Sequence, residues 1–127
     1  MPKKIINSDG APAPLGPYSH AAAAGGWLFL SGQIPMDPAT GELVTEPIEA
    51  AAERAMENMK AVLESSGASF GDVVKATVFL ADMADFPRVN EVYAKYFTAD
   101  PPARSCVQAA ALPKGVPLEI EVVAYVG

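Results

Sequence analysis

The residues able to do chemistry gather toward the end of the chain. Arg104, Ser105 and Cys106 follow the corner Pro101-Pro102, and Glu119 and Glu121 lie in the run Pro117-Leu118-Glu119-Ile120-Glu121. The turn Leu112-Pro113-Lys114-Gly115 joins the two segments, so one cation, one thiol and two carboxylates stand on adjoining short pieces. A guanidinium offers rigid paired donors that match a carboxylate, and it stays charged at any working pH. The segment reads either as a trap for a small carboxylate or as an arginine closing a strand end with an ordinary ion pair. Alternation along a strand puts Glu119 and Glu121 on one face; the register decides which of them meets a ligand. Cys106 has no base beside it in the motif, which favours packing or a backbone contact over nucleophilic work.

Further candidates lie in the first third of the chain. The loop from Asn7 to Pro17 is stiffened by prolines and glycines and delivers Tyr18 to a defined place. His20 to Ala24 and Trp27 to Ser31 read as a hairpin around Gly25-Gly26, with Trp27, Phe29 and Ser31 on one face and Leu28 and Leu30 on the other. Gly32 permits close approach of backbone to another group, as a bulge or beside a ligand. His20 and Ser31 suggest a hydroxyl–imidazole pair, but no orienting acid is evident, so serine nucleophilic catalysis is disfavoured.

The elements that must position these groups follow from periodicity. A helix is predicted from about Glu46 to Ser66, capped by Thr45, with Pro47 in its first turn and Gly67 ending it. Val73 to Leu80 reads as a β-branched strand. Asp85 is expected to cap a second helix over Phe86 to Phe97, with Pro87 in its first turn, an apolar stripe of Phe86, Val89, Tyr93 and Tyr96 or Phe97, and Asn90 beside it. Arg104 to Ala110 and Leu118 to Val126 read as the closing strands. Crossover handedness puts both helices on one face of a sheet of about six strands, an α+β arrangement. The last strand turns nearly continuously apolar, suggesting burial on both faces near its end. Something must cover the open face, and a homo-oligomer is the economical answer.

Composition sets the bounds. The chain has 127 residues, half of them apolar, which suits one domain spanning 1–127. A formal charge of −6 argues against a phosphate-tracking surface and so against nucleic acid. No apolar run approaches the roughly 20 residues of a membrane span. The start of the chain lacks a signal-peptide core, and Cys106 is the sole cysteine, which together read as cytoplasmic. One cysteine and one histidine give no evident metal cluster.

Taken together, these segments resemble the RidA (YjgF-like) family of reactive-intermediate imine deaminases. The resemblance is carried by Gly16-Pro17-Tyr18, Ser31-Gly32-Gln33-Ile34-Pro35, the turn from Asp37-Pro38 to Gly41-Glu42, Val89-Asn90-Glu91-Val92-Tyr93, Pro102-Ala103-Arg104-Ser105-Cys106-Val107, Leu112-Pro113-Lys114 and Leu118-Glu119-Ile120-Glu121. It implies a chorismate-mutase-like fold, a homotrimer with clefts between subunits, and cofactor-free hydrolysis of 2-imino acids or their enamine tautomers to 2-oxo acids and ammonia. It also implies that Arg104 binds the substrate carboxylate and Glu119 positions or activates water. The backbones around Gly32 and Cys106 would add hydrogen bonds, with Tyr18, Ser31 and Asn90 lining or supporting the cleft. Two places depart from the family pattern: the segment from Phe97 to Pro102 is short, and Gln108 stands where an acidic residue is common. Two other classes compete. One is a trimeric sensor that binds small 2-oxo or amino acids without turnover. The other is RNA cleavage, a label sometimes attached to the family, against which the acidic balance counts.

Overall fold

A computed structural model describes residues 2–127. Strands β1 (Lys4–Ile6), β2 (Ala21–Ala24) and β3 (Trp27–Gln33) form an antiparallel meander. Gly25 and Gly26 turn the hairpin with φ of 57° and 86°, the left-handed pair that a tight two-residue hairpin requires. Strand β6 (Leu118–Tyr125) pairs antiparallel with β3, and β4 (Val73–Leu80) pairs antiparallel with β6. Strand β5 (Ala103–Gln108) closes the far edge, parallel to β4. The sheet order is therefore β1-β2-β3-β6-β4-β5, and β4 lies between the two strands that carry Arg104 and Glu119.

Helices α1 (Ile48–Ser65) and α2 (Phe86–Tyr96) complete the α+β fold; α1 packs on β3 and β6, and α2 packs on α1. Ala51, Ala52 and Ala55 let α1 approach the sheet closely, while Met59, Val62 and Leu63 fill the space over Leu28, Leu30, Ile120 and Val122. Asn58 is fully buried on the same helix, and its amide nitrogen donates to the carbonyls of Ile34 and Met36 at 3.0 and 2.8 Å. A buried amide so satisfied fixes the loop after β3 to the helix.

Helix boundaries correct the sequence in two places. Proline disfavours helical backbone in the residue before it, which keeps Glu46 out of the helix, and Pro47 is itself extended (φ −64°, ψ 165°) and stands as the N-cap, so α1 starts at Ile48; the Pro47 carbonyl accepts from Ala50 and Ala51, and Thr45 makes no cap. At the other end Gly67, with φ of 76°, closes the helix as expected, the amides of Gly67 and Ala68 returning to Glu64 and Leu63. Asp85 does not cap α2 with its side chain. It has helical backbone, which turns its carboxylate away from the free amides, and Asp82 instead accepts from Ala84 at 2.9 Å. Gln108 braces the same turn, its amide oxygen accepting from the Met83 N–H at 2.8 Å.

Both helices lie on one face. Along β6, Leu118, Ile120, Val122 and Ala124 are buried, whereas Tyr125 on the other side is 43% exposed. The expected burial of this strand on both faces near its end is thus absent within one chain: among the described residues no helix packs on the second face, and Tyr125 stays exposed there. Trp27 and Phe29 stand exposed there too, and the Trp27 and Tyr125 rings lie 4.7 Å apart. Among the described residues, no helix is long and apolar enough to cross a membrane.

Candidate active site

Register assigns each candidate to a face. Arg104 pairs with Ala76 and Cys106 with Val78, both buried beneath the helices, so Arg104 and Cys106 project toward the helical side. There Phe86, Asn90, Tyr93 and Phe97 follow one another at helical spacing along α2 and its end. The guanidinium of Arg104 lies 4.8 Å from the Tyr93 ring centroid and 5.3 Å from that of Phe86, and its Nη1 donates to Asn90 Oδ1 at 2.6 Å. Cation–π contact and one hydrogen bond hold the planar group without neutralising it. Among the described residues the one ion pair is Arg88–Glu49, so the reading of Arg104 as an ordinary strand-end ion pair does not hold. An open groove of about 400 Å³ runs past the guanidinium, walled by Ala94, Phe97, Pro101 and Pro102.

Glu119 occupies the opposite face. It pairs with Phe79 on β4, and Glu121 with Thr77, out of phase with the buried Ala76 and Val78. On β3 the pairing with β6 shifts between Leu30 and Gln33, and Gly32 sits at this irregularity against the Glu119 side chain. A Cβ on Gly32 would come within 2.8 Å of the Glu119 carboxyl carbon, which is the close approach that glycine permits. Gly32, Ser31, Tyr18, Leu15 and Pro113 line, with Glu119 and Glu121, a second open groove of about 430 Å³. Ser31 Oγ donates to the Ser19 carbonyl at 2.6 Å, and Tyr18 Oη accepts from the Leu15 N–H at 3.3 Å.

The candidates therefore form two groups that one chain does not bring together. Arg104, Asn90 and Cys106 stand on the helical face at the β5 edge, and Tyr18, Ser31, Gly32 and Glu119 stand on the open face. Sharing a turn in the sequence does not make β5 and β6 neighbours, because β4 separates them.

Residues 8–126 match the family described as Endoribonuclease L-PSP. The chain belongs to the YjgF/RidA family. It is 56% identical to Protein DfrA of Myxococcus xanthus, over 98% of this chain and 96% of that protein. It is 46% identical to the 2-iminobutanoate/2-iminopropanoate deaminase of Homo sapiens, over 98% and 91%. Among solved structures, E. coli TdcF with bound serine superposes with a TM-score of 0.92 at 46% identity, covering 96% of this chain and 98% of that one.

Within this member of the YjgF/RidA family, electrostatics separates the candidates further. Burial, and then the neighbouring charge of Glu121, hold the Glu119 carboxyl above its usual range. A carboxyl so placed exchanges protons nearer neutrality than a solvated one does. Burial also pushes the Cys106 thiol up, against a partial opposing pull from Arg104, and disfavours a thiolate nucleophile. His20 makes no pair with the Ser31 hydroxyl. Its Nδ1 accepts from the Ser8 N–H at 2.8 Å, and Nε2 lies 2.7 Å from the Pro12 carbonyl. Since an amide N–H can only donate, the ring is the Nε2–H tautomer, with neither nitrogen free for a hydroxyl. The histidine instead pins the loop that carries Leu15 and Tyr18 to the second groove.

Sequence reasoning gave Phe86 and Tyr93 only to the apolar core, yet both support the guanidinium. The signal was present: Phe86, Asn90 and Tyr93 share one helical face, and a helix face that mixes aromatics with an amide suits a cation. The role of Gln108 in bracing the start of α2 had no such signal, because it depends on a contact between β5 and a distant turn.

Proposed function

We propose that this chain hydrolyses 2-imino acids, or their enamine tautomers, to 2-oxo acids and ammonia without a cofactor. The compounds in view are 2-aminoacrylate with its tautomer 2-iminopropanoate, and 2-iminobutanoate. The observation that carries the reading is the division of the candidates into two open half-sites on opposite faces, each chemically incomplete. One offers an aromatic-braced guanidinium with no carboxylate partner among the described residues; the other offers a carboxyl with a raised pKa beside a glycine. Two such halves complete one another when the Arg104 side of one subunit meets the Glu119 side of the next. A cyclic homotrimer of chorismate-mutase-like form, closed by such head-to-tail contacts, would contain three complete clefts and cover the open sheet face. The deaminase name of the human relative and the serine bound in TdcF support a small amino-acid-like ligand.

The chemistry asks little beyond these groups. A protonated imine carbon is electrophilic, so neither covalent nucleophile nor metal is needed to activate it. Arg104 would hold the carboxylate and orient the carbon. Glu119 would take a proton from water as its oxygen adds to that carbon, giving a carbinolamine. It would then return the proton to nitrogen and take up the hydroxyl proton as the C–N bond breaks, the C=O bond forms and ammonia leaves. General acid–base assistance of this kind contributes about 10²- to 10⁴-fold. Tyr18, Ser31, Gly32, Asn90 and Cys106 would line or support the cleft. The acidic charge of −6 favours a small-molecule substrate over RNA.

Subunit mixing tests the shared cleft. Arg104→Lys and Glu119→Gln chains, each expected to be slowed by at least about 100-fold alone, are unfolded together and refolded at equal amounts. Random assembly places an intact arginine opposite an intact glutamate in roughly a quarter of head-to-tail contacts, so ammonia release should return to about that fraction. No recovery would overturn the shared cleft. Wild-type protein that bound 2-oxo acids but released no ammonia from imines would make it a sensor.

A further inference from the structure

His20 is the only histidine of the chain, and it is buried without belonging to either half-site. Its two ring nitrogens grip the two ends of one short turn. Nδ1 accepts from the Ser8 N–H at 2.8 Å, and Nε2 donates to the Pro12 carbonyl at 2.7 Å. The base of the ring stands on the sheet, since the His20 carbonyl accepts from the Ser31 N–H at 2.9 Å. On its other side the turn meets α1: Ser8 Oγ donates to the Ala61 carbonyl at 3.2 Å, and a Cβ on Gly10 would come within 3.1 Å of that of Ala61. Beyond Pro12 the chain runs on to Leu15 and Tyr18, which line the groove beside Gly32 and Glu119.

The Nδ1 contact works in one protonation state only. An amide N–H can only donate, so a proton added to Nδ1 sets two donors against each other. The Pro12 bond survives that proton, because Nε2 donates in both forms. Protonation therefore breaks one end of the turn and keeps the other. The buried Ser8 N–H then has no acceptor, and the loop must shift for it to find one. The wall against the ring contains no carboxylate and no cation, and Tyr18 is the one titratable neighbour in it. The charged groups on the surrounding elements are Lys4 on β1, Asp9 on the loop, Asp37 after Met36, Lys60 and Glu64 on α1, and Glu119 behind Gly32. Among the described residues none of them bonds to the ring, whose partners are Ser8 and Pro12.

We propose that His20 is a proton-sensitive latch on the loop from Asn7 to Pro17, releasing Leu15 and Tyr18 from the groove when the imidazole takes up a second proton. It is a positioning residue, acting through the loop and not on substrate. Its effect on ammonia release rests on the deaminase reading; the release of the loop does not. Glutamine can make the same two bonds, with its oxygen toward Ser8 and its amide toward Pro12, but it has no second proton to take up. His20→Gln thus separates the hydrogen bonds from the titration.

The test compares wild type with His20→Gln from about pH 8 to pH 5, the span in which imidazole changes charge. Amide hydrogen exchange, corrected for its intrinsic pH dependence, reads the protection of residues 7–18. Proton NMR of the single histidine in the same wild-type samples reports when the ring protonates. As it does so, protection of the Ser8 amide and of the loop should fall by about 10-fold, the scale of one lost hydrogen bond, while α1 and β3 stay protected. His20→Gln should keep its loop protection throughout. Glu119 titrates in both proteins, so the ratio of ammonia release, variant over wild type, isolates the histidine; it should rise by about 10-fold on acidification. A ring that protonates without loss of loop protection overturns the latch, as does a ring that stays neutral across the range or an equal loss in His20→Gln. Loop release with a constant activity ratio overturns the link to the groove. Loop release in a protein that turns over no imine at any pH keeps the latch and removes the deaminase reading.

Discussion

Arg104 and Glu119 project from opposite faces of one sheet, with β4 between their strands. No rotamer change within a chain can join them. The following expectations depend on that separation or on the local structure at each end of it.

Replacing Arg104 by lysine keeps the charge but removes the planar group that lies over Tyr93 and Phe86 and reaches Asn90. The fold should be retained, since Arg104 is on an edge strand and exposed. Turnover should fall by about 100-fold, the scale expected when a reacting group is displaced by an ångström. Steady-state ammonia release, with circular dichroism as the control for folding, checks this; near-normal turnover would mean that the carboxylate is held elsewhere.

Glu119→Gln should slow hydrolysis by about 10²- to 10⁴-fold while a 2-oxo acid still binds. Glu121→Gln should be mild, because Glu121 lies two residues along, away from Gly32. Exchanged effects in the two variants would move the proton-transfer role to Glu121.

The same variant has an opposite effect on stability. A carboxyl whose folded pKa is raised stabilises the fold fully below its unfolded value, about 4.3, and loses that contribution as pH rises through the folded value. Glutamine never ionises. Glu119→Gln should therefore melt above wild type at pH 8, with a margin that shrinks toward pH 4 in thermal scans at fixed protein concentration. A margin that grew on acidification would contradict the burial of the carboxyl.

Gly32→Ala would press a methyl group into the Glu119 carboxyl. We expect a stability cost of about 1–3 kcal/mol by denaturant titration, as for other overpacked sites, together with loss of turnover. Unchanged activity would show that the carboxyl can move aside without consequence.

His20→Ala would leave the Ser8 N–H and the Pro12 carbonyl without their partners. The expected cost is about 2–3 kcal/mol in denaturant titration, because a buried polar group left unpaired forfeits its solvation. His20→Gln, which offers an acceptor and a donor, should cost less. Equal losses in the two variants would point to ring packing in place of hydrogen bonding.

Much of the fold was legible because its signals are local. The alternation in β3, the β-branched run of β4, the glycine pair of the hairpin and Gly67 after α1 each act within a few residues. The helix starts were misread because capping depends on backbone dihedrals: Pro47 moved the first turn, and Asp85 adopted helical backbone. For the site, the residue types at Arg104, Glu119, Gly32 and Asn90 could be singled out from the sequence with the help of family resemblance, but their faces could not. Those faces follow from β4 pairing parallel with β5 and antiparallel with β6, a long-range register that no short motif encodes.

Trp27 is the only tryptophan, and it stands on the uncovered side of the sheet against Tyr125. The molecule thus carries its own optical reporter. Indole emission moves to shorter wavelength when water is removed, so a neighbouring subunit seated over Trp27 would change the colour of the protein's fluorescence without any label. Dilution series, subunit exchange and the behaviour of each variant could all be followed through that one ring, in the same cuvette as the ammonia assay.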